Sequence, residues 1–181
     1  MKHIKRWGLM KNVSVEDIEQ HSFQVAVIAH GLAVIGNEYF NKNYDAQNIC
    51  TLALFHETSE VITGDLATPI KYFNPEINSA YKNIEKIATK KLINMLPKEM
   101  QQAYEPILDR DESTVEWKLV KAADKISAYI KCLEELNAGN KEFLKATDTI
   151  KKSIDEIDLL EVKYFMDNFI DSFDLTLDEL N

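Results

Sequence analysis

The sequence predicts an all-α protein, and three observations carry that reading. Apolar residues recur at three- and four-residue spacing along almost the whole chain. Only 5 Gly and 4 Pro occur in 181 residues, too few for a loop-rich or all-β architecture. No run alternates polar and apolar residues strongly enough to compete as a strand. At 45% hydrophobic and 28% charged residues, the balance is that of an ordinary globular domain. The length suits one domain with a real core, so residues 1–181 are read as a single helical bundle without repeats or linkers.

Residues 1–14 form a basic, aromatic lead-in. A first helix is expected from Glu16 or Glu19 to Tyr39, with Phe23, Val27, His30 and Val34 at helical spacing. Asp45 is placed to cap a second helix from Ala46 to about Glu57. The pattern fades at Thr63-Gly64-Asp65, and Asp65 to Pro69 reads as a loop because Pro69 turns Thr68 away from helical geometry. A helix over about Glu76 to Met95 stops before Pro97, which suits the first turn of a short helix reaching about Tyr104. Thr114 to Leu136 is the clearest pattern. Val115, Leu119, Ala122, Ile126, Tyr129, Leu133 and Leu136 share one face, and Asn137-Ala138-Gly139-Asn140 closes it. A last helix from about Lys141 to Ile170 is expected to break near Asp155 to Asp158, ahead of a short acidic tail.

Composition narrows the function. A formal net charge of −9 argues against a surface that coats nucleic acid, but it leaves room for a small phosphate ligand held locally by a metal and a few basic groups. Cys50 and Cys132 lie inside helical patterns and read as buried small hydrophobes, which points to the cytosol. The start, Met-Lys-His-Ile-Lys-Arg-Trp, lacks the apolar core of a signal peptide. The longest apolar run, Val25 to Ile35, contains His30 and is too short to span a bilayer, so no membrane partner is expected.

The chemistry-bearing residues are His21, the pair His56-Glu57 and Asp124. Each borders an apolar run, where a lone carboxylate or imidazole needs a partner. Two imidazoles and two carboxylates converging on one point would hold Zn, Mn, Fe or Co. Taken singly, each is more often a hydrogen-bonded boundary residue. The run His56-Glu57-Thr58-Ser59-Glu60 fails the His-Glu-x-x-His test of helical zinc proteases, because its last position is Glu60.

Longer motifs decide between these readings. They run Arg6-Trp7-x-Leu9-Met10-x-Asn12, then His21-Ser22-x-Gln24-Val25-Ala26, then Ser59-Glu60-Val61-x-Thr63-Gly64-Asp65-Leu66-x-Thr68-Pro69-x-Lys71-Tyr72-Phe73-Asn74. They close with Lys121-Ala122-x-Asp124 and with Tyr129-x-Lys131-Cys132-Leu133-Glu134-Glu135-Leu136-x-Ala138-Gly139-Asn140. Over nearly its whole length the chain resembles the HD-domain metal-dependent phosphohydrolases, and within them the bacterial 5′-deoxynucleotidases of the YfbR type. The resemblance implies an HD-type helical bundle, a homodimer, and hydrolysis of deoxyribonucleoside 5′-monophosphates with one divalent metal ion, among which Co, Mn, Zn, Fe and Mg are not distinguished.

It also implies roles. His21, His56, Glu57 and Asp124 would ligate the metal. Arg6 and Trp7 would contact substrate, Arg6 as a forked donor to phosphate and Trp7 against the sugar, where its bulk would exclude a 2′-hydroxyl. His21, Asp65, Leu66, Ala67 and Thr68 would complete the substrate contacts. Glu60 would orient or deprotonate the attacking water, and Asp65 would touch the sugar hydroxyl or protonate the leaving oxygen. Lys71 would add positive potential, while His3 and His30 remain structural or surface residues.

One residue departs from the family, whose pair is His-Asp where this chain has His56-Glu57. Glutamate reaches about 1.5 Å further, while metal–oxygen distances stay near about 2.0–2.2 Å. Either the carboxylate binds through another rotamer or both oxygens, or it weakens the metal. The alternatives are therefore an HD-type hydrolase of another nucleotide, cyclic or alarmone, and a weakly active nucleotide-binding protein.

Overall fold

A computed structural model describes residues 1–180. Helix α1 (Ile18–Phe40) begins at Asp17, whose carboxylate accepts from the amides of Glu19 and Gln20. The Gln20 side chain in turn accepts from the Asp17 amide at 3.1 Å, which completes a reciprocal cap. The helix ends at Asn41 in the left-handed region (φ 53°), which asparagine tolerates well. Helix α2 (Ala46–Leu54) starts on the Asp45 side chain, as its sequence predicts.

The remaining elements are α3 (Glu60–Thr63), α4 (Thr68–Lys71), α5 (Pro75–Asn94), α6 (Lys98–Leu108), α7 (Val115–Asn137), α8 (Leu144–Asp155) and α9 (Leu160–Asn168). Short 3₁₀ turns cover Lys141–Phe143, Ile170–Asp174 and Leu177–Leu180. Among the described residues the one sheet-like contact is an antiparallel bridge between Lys5 and Asp17. No described helix is long and apolar enough to cross a membrane.

Helices α1 and α7 form the centre. α1 packs on α2, α7 and α9, and α7 packs on α8. Val25, Ala29 and Leu32 of α1 meet Ile49 and Ala53 of α2 and Leu119, Ile126 and Ile130 of α7 in one core. Small residues on α1 let the chain approach closely. A Cβ at Gly36 would sit 2.6 Å from the Tyr44 ring, whose hydroxyl donates to Glu161 at 2.7 Å.

Several boundaries differ from the sequence-based expectation. α2 stops at Leu54, and Phe55 to Ser59 turn away from its axis, so His56-Glu57 lies in a turn and not on the helix. Asp65 to Ala67 are loop as expected, while Thr68 and Pro69 enter the single turn α4, with Pro69 in its first positions, where a missing amide does no harm. Pro97 stands before α6 and not within it, and α6 continues past Tyr104 to Leu108 with Pro106 inside. The last long pattern breaks between Asp155 and Leu160, close to its acidic cluster.

The lead-in is tied down. Glu135, buried on α7, accepts from the amides of Val13 (2.8 Å) and Ser14 (3.0 Å) and from Asn140 Nδ2 (2.7 Å). Lys131 donates to Glu135 and, at 2.5 Å, to the Ser14 carbonyl. Asn140 reaches the Lys11 carbonyl at 2.7 Å.

This buried clamp generates a prediction. Glu135→Ala strands Lys131 and two backbone amides, a change expected to destabilise by about 3–5 kcal/mol in urea unfolding. Burial alone would raise the Glu135 carboxyl, but Lys131, Asn140 and the two amides bring it from 4.5 down to about 2. A depressed folded-state pKa gives stability that is complete above 4.5 and is lost as pH falls toward 2. The stability gap between wild type and Glu135→Gln should therefore shrink on acidification through that window. A gap that widens there would refute the clamp.

Candidate metal centre and active site

Three chain segments deliver the candidate ligands. His21 stands in the first turns of α1, His56 and Glu57 in the turn after α2, and Asp124 midway along α7. One donor atom from each lies within 4.8 Å of the others. Opposite ligands of one ion, at bonds of about 2.0–2.2 Å, are separated by about 4.0–4.4 Å, so the set needs only a small contraction.

Hydrogen bonding assigns the tautomers. Ser127 Oγ donates to Gln24 Oε1 at 2.6 Å, so it is free to accept from His21 Nδ1 at 3.1 Å. His56 Nδ1 donates to the Ala53 carbonyl at 2.6 Å. Both Nε2 atoms are thereby left as bare lone pairs, and both face carboxylates. Asp124 Oδ1 lies 3.1 Å from His21 Nε2 and 4.0 Å from His56 Nε2, and Glu57 Oε1 lies 3.2 Å from the latter. His56 Nε2 is buried and has no hydrogen-bond partner among the described residues. Burial first, then the charge of Arg6, push the His21 imidazole down to about 4 against the pull of Asp124, so His21 stays neutral near pH 7. Lone pairs against carboxylates repel each other, and a divalent cation turns that repulsion into coordination. The donor set fits a metal.

Asp124 is fixed from its other side. Lys121 donates to Oδ2 at 2.5 Å and leaves Oδ1 for the gap. Burial opposes the Asp124 charge, but Lys121, His21 and His56 together outweigh it and hold the carboxyl well below the ordinary range.

Glu60 and Asp65 stand beside this cluster. Glu60 is buried with Oε2 unpartnered. Burial, then Glu57 and Asp65, raise its carboxyl, while Arg6 pulls the other way. Burial also raises Asp65, again opposed by Arg6. The Arg6 charge thus acts on His21, Glu60 and Asp65 together. Arg6 Nη1 and the Trp7 indole N–H both donate to one oxygen of Glu16 at 3.0 Å. Trp7 takes a left-handed backbone (φ 61°) and packs against Phe143 at 5.2 Å between ring centroids, the planes tilted by 53°. A bulky residue at positive φ is uncommon and marks a position held by its surroundings. Leu66 and Ala67 are half-buried and lead into α4, where Thr68 is exposed. Lys71 pairs with Glu85 at 2.9 Å and lies over the Tyr81 ring. His3 and His30 are exposed.

Sequence reasoning gave no role to Glu16, Gln24, Ser127 or Lys121. The last two carried a readable signal, since Lys121 and Ser127 stand three residues either side of Asp124 and flank it on the helix. Glu16 carried none.

Against known proteins, the model of the 5′-deoxynucleotidase YfbR-like family matches residues 1–173. The chain belongs to this family. A 5′-deoxynucleotidase of Photobacterium profundum is 49% identical over 100% of this chain and 94% of its own length. One from Yersinia pestis is 52% identical over 100% of this chain and 92% of its own. Among solved structures, an HD-domain phosphohydrolase from Listeria innocua superposes with a TM-score of 0.83 at 24% identity, covering 94% of this chain and 83% of that one. A cyanophage S-2L HD phosphohydrolase, bound to dA and one catalytic Zn²⁺ ion, gives a TM-score of 0.69 at 19% identity over 96% of this chain and 92% of its own. At those identities the two structures speak for the fold, which is the HD-type helical bundle.

The geometry yields two predictions. His56→Ala and Asp124→Ala should each abolish stoichiometric divalent metal, measured by elemental analysis, while circular dichroism keeps the helical content. Full metal occupancy in either variant would remove that residue from the ligand set. Glu57→Asp should raise metal affinity in a competition titration, because a shorter carboxylate withdraws from His56 Nε2. Unchanged or lower affinity would mean that the site is adapted to glutamate.

Proposed function

We propose that this protein removes the 5′-phosphate of deoxyribonucleoside 5′-monophosphates, acting as one domain over residues 1–181 with one divalent metal ion. The observation that carries the reading is the buried gap between two Nε2 lone pairs and two carboxylates, with Arg6 beside it. Membership of the family and the names of its relatives support the substrate class.

His21, His56, Glu57 and Asp124 would hold the ion, and nitrogen and oxygen ligands of this kind accept Co, Mn, Zn, Fe or Mg. The bound metal supplies an activated water and a Lewis acid for a phosphate oxygen. Arg6 grips the phosphate through its fork, and Glu16 fixes the guanidinium's orientation. Glu60 orients the attacking water, and a cation held at Glu57 would offset the crowding of carboxylates that raises Glu60 and let it take up the water's proton. Asp65, held toward its protonated form by burial, contacts the sugar and gives a proton to the leaving 5′-oxygen. Leu66, Ala67 and Thr68 complete the wall, and Trp7 lies against C2′, where a ribose hydroxyl would collide.

The reading includes a homodimer in the cytoplasm. Phe23, Val27 and Val34 form an exposed apolar stripe on α1 that supports self-association. One observation favours a second reading, a nucleotide-binding protein with little turnover. Glu57 Oε1 lies 3.2 Å from His56 Nε2, on the side from which a metal would be ligated.

Phosphate release from dAMP and AMP tests both. Wild type should prefer dAMP, and turnover on neither would favour the second reading. Trp7→Ala should narrow the dAMP–AMP gap by admitting the 2′-hydroxyl. Arg6→Ala should slow both substrates alike, by roughly tenfold to a hundredfold, the value of one charge-assisted contact. Equal turnover of AMP and dAMP by wild type would point instead to a broader phosphohydrolase.

A further inference from the structure

A cavity of about 700 Å³ opens beside His56 and Glu57, and neither Arg6 nor Trp7 lines it. Its walls come from the end of α4, from α5, from the 109–112 connection, from the first half of α7 and from the turn before α9. In a chain of net charge −9 this cavity is locally basic, with Lys71, Lys82, Arg110, Lys118, Lys121 and Lys125 on its walls against four carboxylates.

Most of these cations are occupied. Lys71 pairs with Glu85, Lys82 with Glu112 and Lys121 with Asp124, and Lys125 donates to the Ser153 carbonyl. Arg110 is different. Its guanidinium carbon lies over the Trp117 ring, 3.9 Å from the centroid, a cation–π contact that braces the side chain. Its one hydrogen bond among the described residues is a long one, Nη1 to the Leu108 carbonyl at 3.4 Å. Its Nε is buried without a partner. Trp117, which braces it, is 5% exposed and belongs to the core.

A half-buried guanidinium with unused donors bears an energetic penalty unless an anion completes it. An arginine fork presents parallel N–H donors that match a tetrahedral phosphate. We propose that Arg110, braced by Trp117 and flanked by Lys118 and Lys121, forms a second phosphate subsite in this cavity, next to the metal centre and separate from the Arg6 position. The shared ligand chemistry is a tetrahedral phosphate group. Two sources provide it: free inorganic phosphate leaving the metal centre, or an outer phosphate of a nucleoside triphosphate.

Calorimetric titration of the metal-loaded protein tests this without reference to turnover, so it stands or falls apart from the nucleotidase reading. The probes are inorganic phosphate, dAMP and dATP, on wild type, Arg110→Gln and Arg110→Lys. If the subsite takes inorganic phosphate, Arg110→Gln weakens phosphate binding about tenfold or more, the size of one charge-assisted contact. If it takes an outer phosphate, dATP binds wild type more tightly than dAMP does, and Arg110→Gln removes that difference. Arg110→Lys keeps the charge but loses the fork and the contact with the Trp117 ring, and should fall between the two. It also provides a reading should the glutamine variant unfold. Affinities for all three probes within about twofold of wild type in a folded Arg110 variant would overturn the proposal.

Discussion

Two imidazole lone pairs and two carboxylates face one buried gap, and Lys121 reaches only the far oxygen of Asp124. This constraint organises the molecule. The gap exists because α1, α7 and the turn after α2 are packed around one apolar core, with Val25, Ala29, Ile49, Ala53 and Ile126 among its members. Each polar group is then held by a neighbour that chooses its orientation. Ser127 and Gln24 turn His21, the Ala53 carbonyl turns His56, and Lys121 takes one oxygen of Asp124. Burial keeps His21 unprotonated at neutral pH. The helices thus supply apolar energy that pays for an electrostatically frustrated cluster, and a cation relieves the frustration.

A second set of contacts brings the distant start of the chain to this gap. Glu135 and Lys131 on α7 bind residues 13 and 14, Asn140 binds residue 11, and the Arg6 amide donates to the Glu16 carbonyl at 3.0 Å. Glu16 then holds both Arg6 and Trp7 on one oxygen. Burial raises the Glu16 carboxyl, and Arg6 and Trp7 act against that rise. The ion pair of Lys131 with Glu135 is therefore linked, through backbone, to the placement of two side chains more than a hundred positions earlier in sequence. A segment without helix of its own becomes as well placed as the helices it crosses.

Much of the architecture was legible in the sequence because helices announce themselves locally. Asp17, Asp45 and Thr114 cap where polar residues precede apolar stripes, and Gly139 (φ 84°) follows α7 where the pattern ends. The four metal-seeking residues were legible as types at the borders of apolar runs, and resemblance grouped them. What stayed hidden depends on distance in space. Nothing local tells that Glu16 serves both Arg6 and Trp7, or that Arg110 lies over Trp117 across a helix start. The end of α2 was misplaced for the opposite reason. Its apolar run continues through Phe55, so periodicity carries on, yet the chain turns so that the Ala53 carbonyl accepts from the ring of His56. A local side chain–backbone hydrogen bond replaced the helical pattern there.

That turn bears on the family's one altered ligand. On a continuous helix, His56 and Glu57 would point about a hundred degrees apart, and a longer side chain at 57 would have to fold back to reach the gap. In the turn, the two side chains meet at 3.2 Å. The extra methylene of glutamate is accommodated by the irregular backbone, and its cost falls on the distance to His56 Nε2, where the longer arm intrudes. The aspartate-to-glutamate change therefore leaves the fold intact and concentrates its effect in the coordination sphere. Lys121 and Ser127, which support Asp124 and His21, are untouched by it. Three of the four candidate ligands keep their bracing, and the fourth, Glu57, lines the cavity.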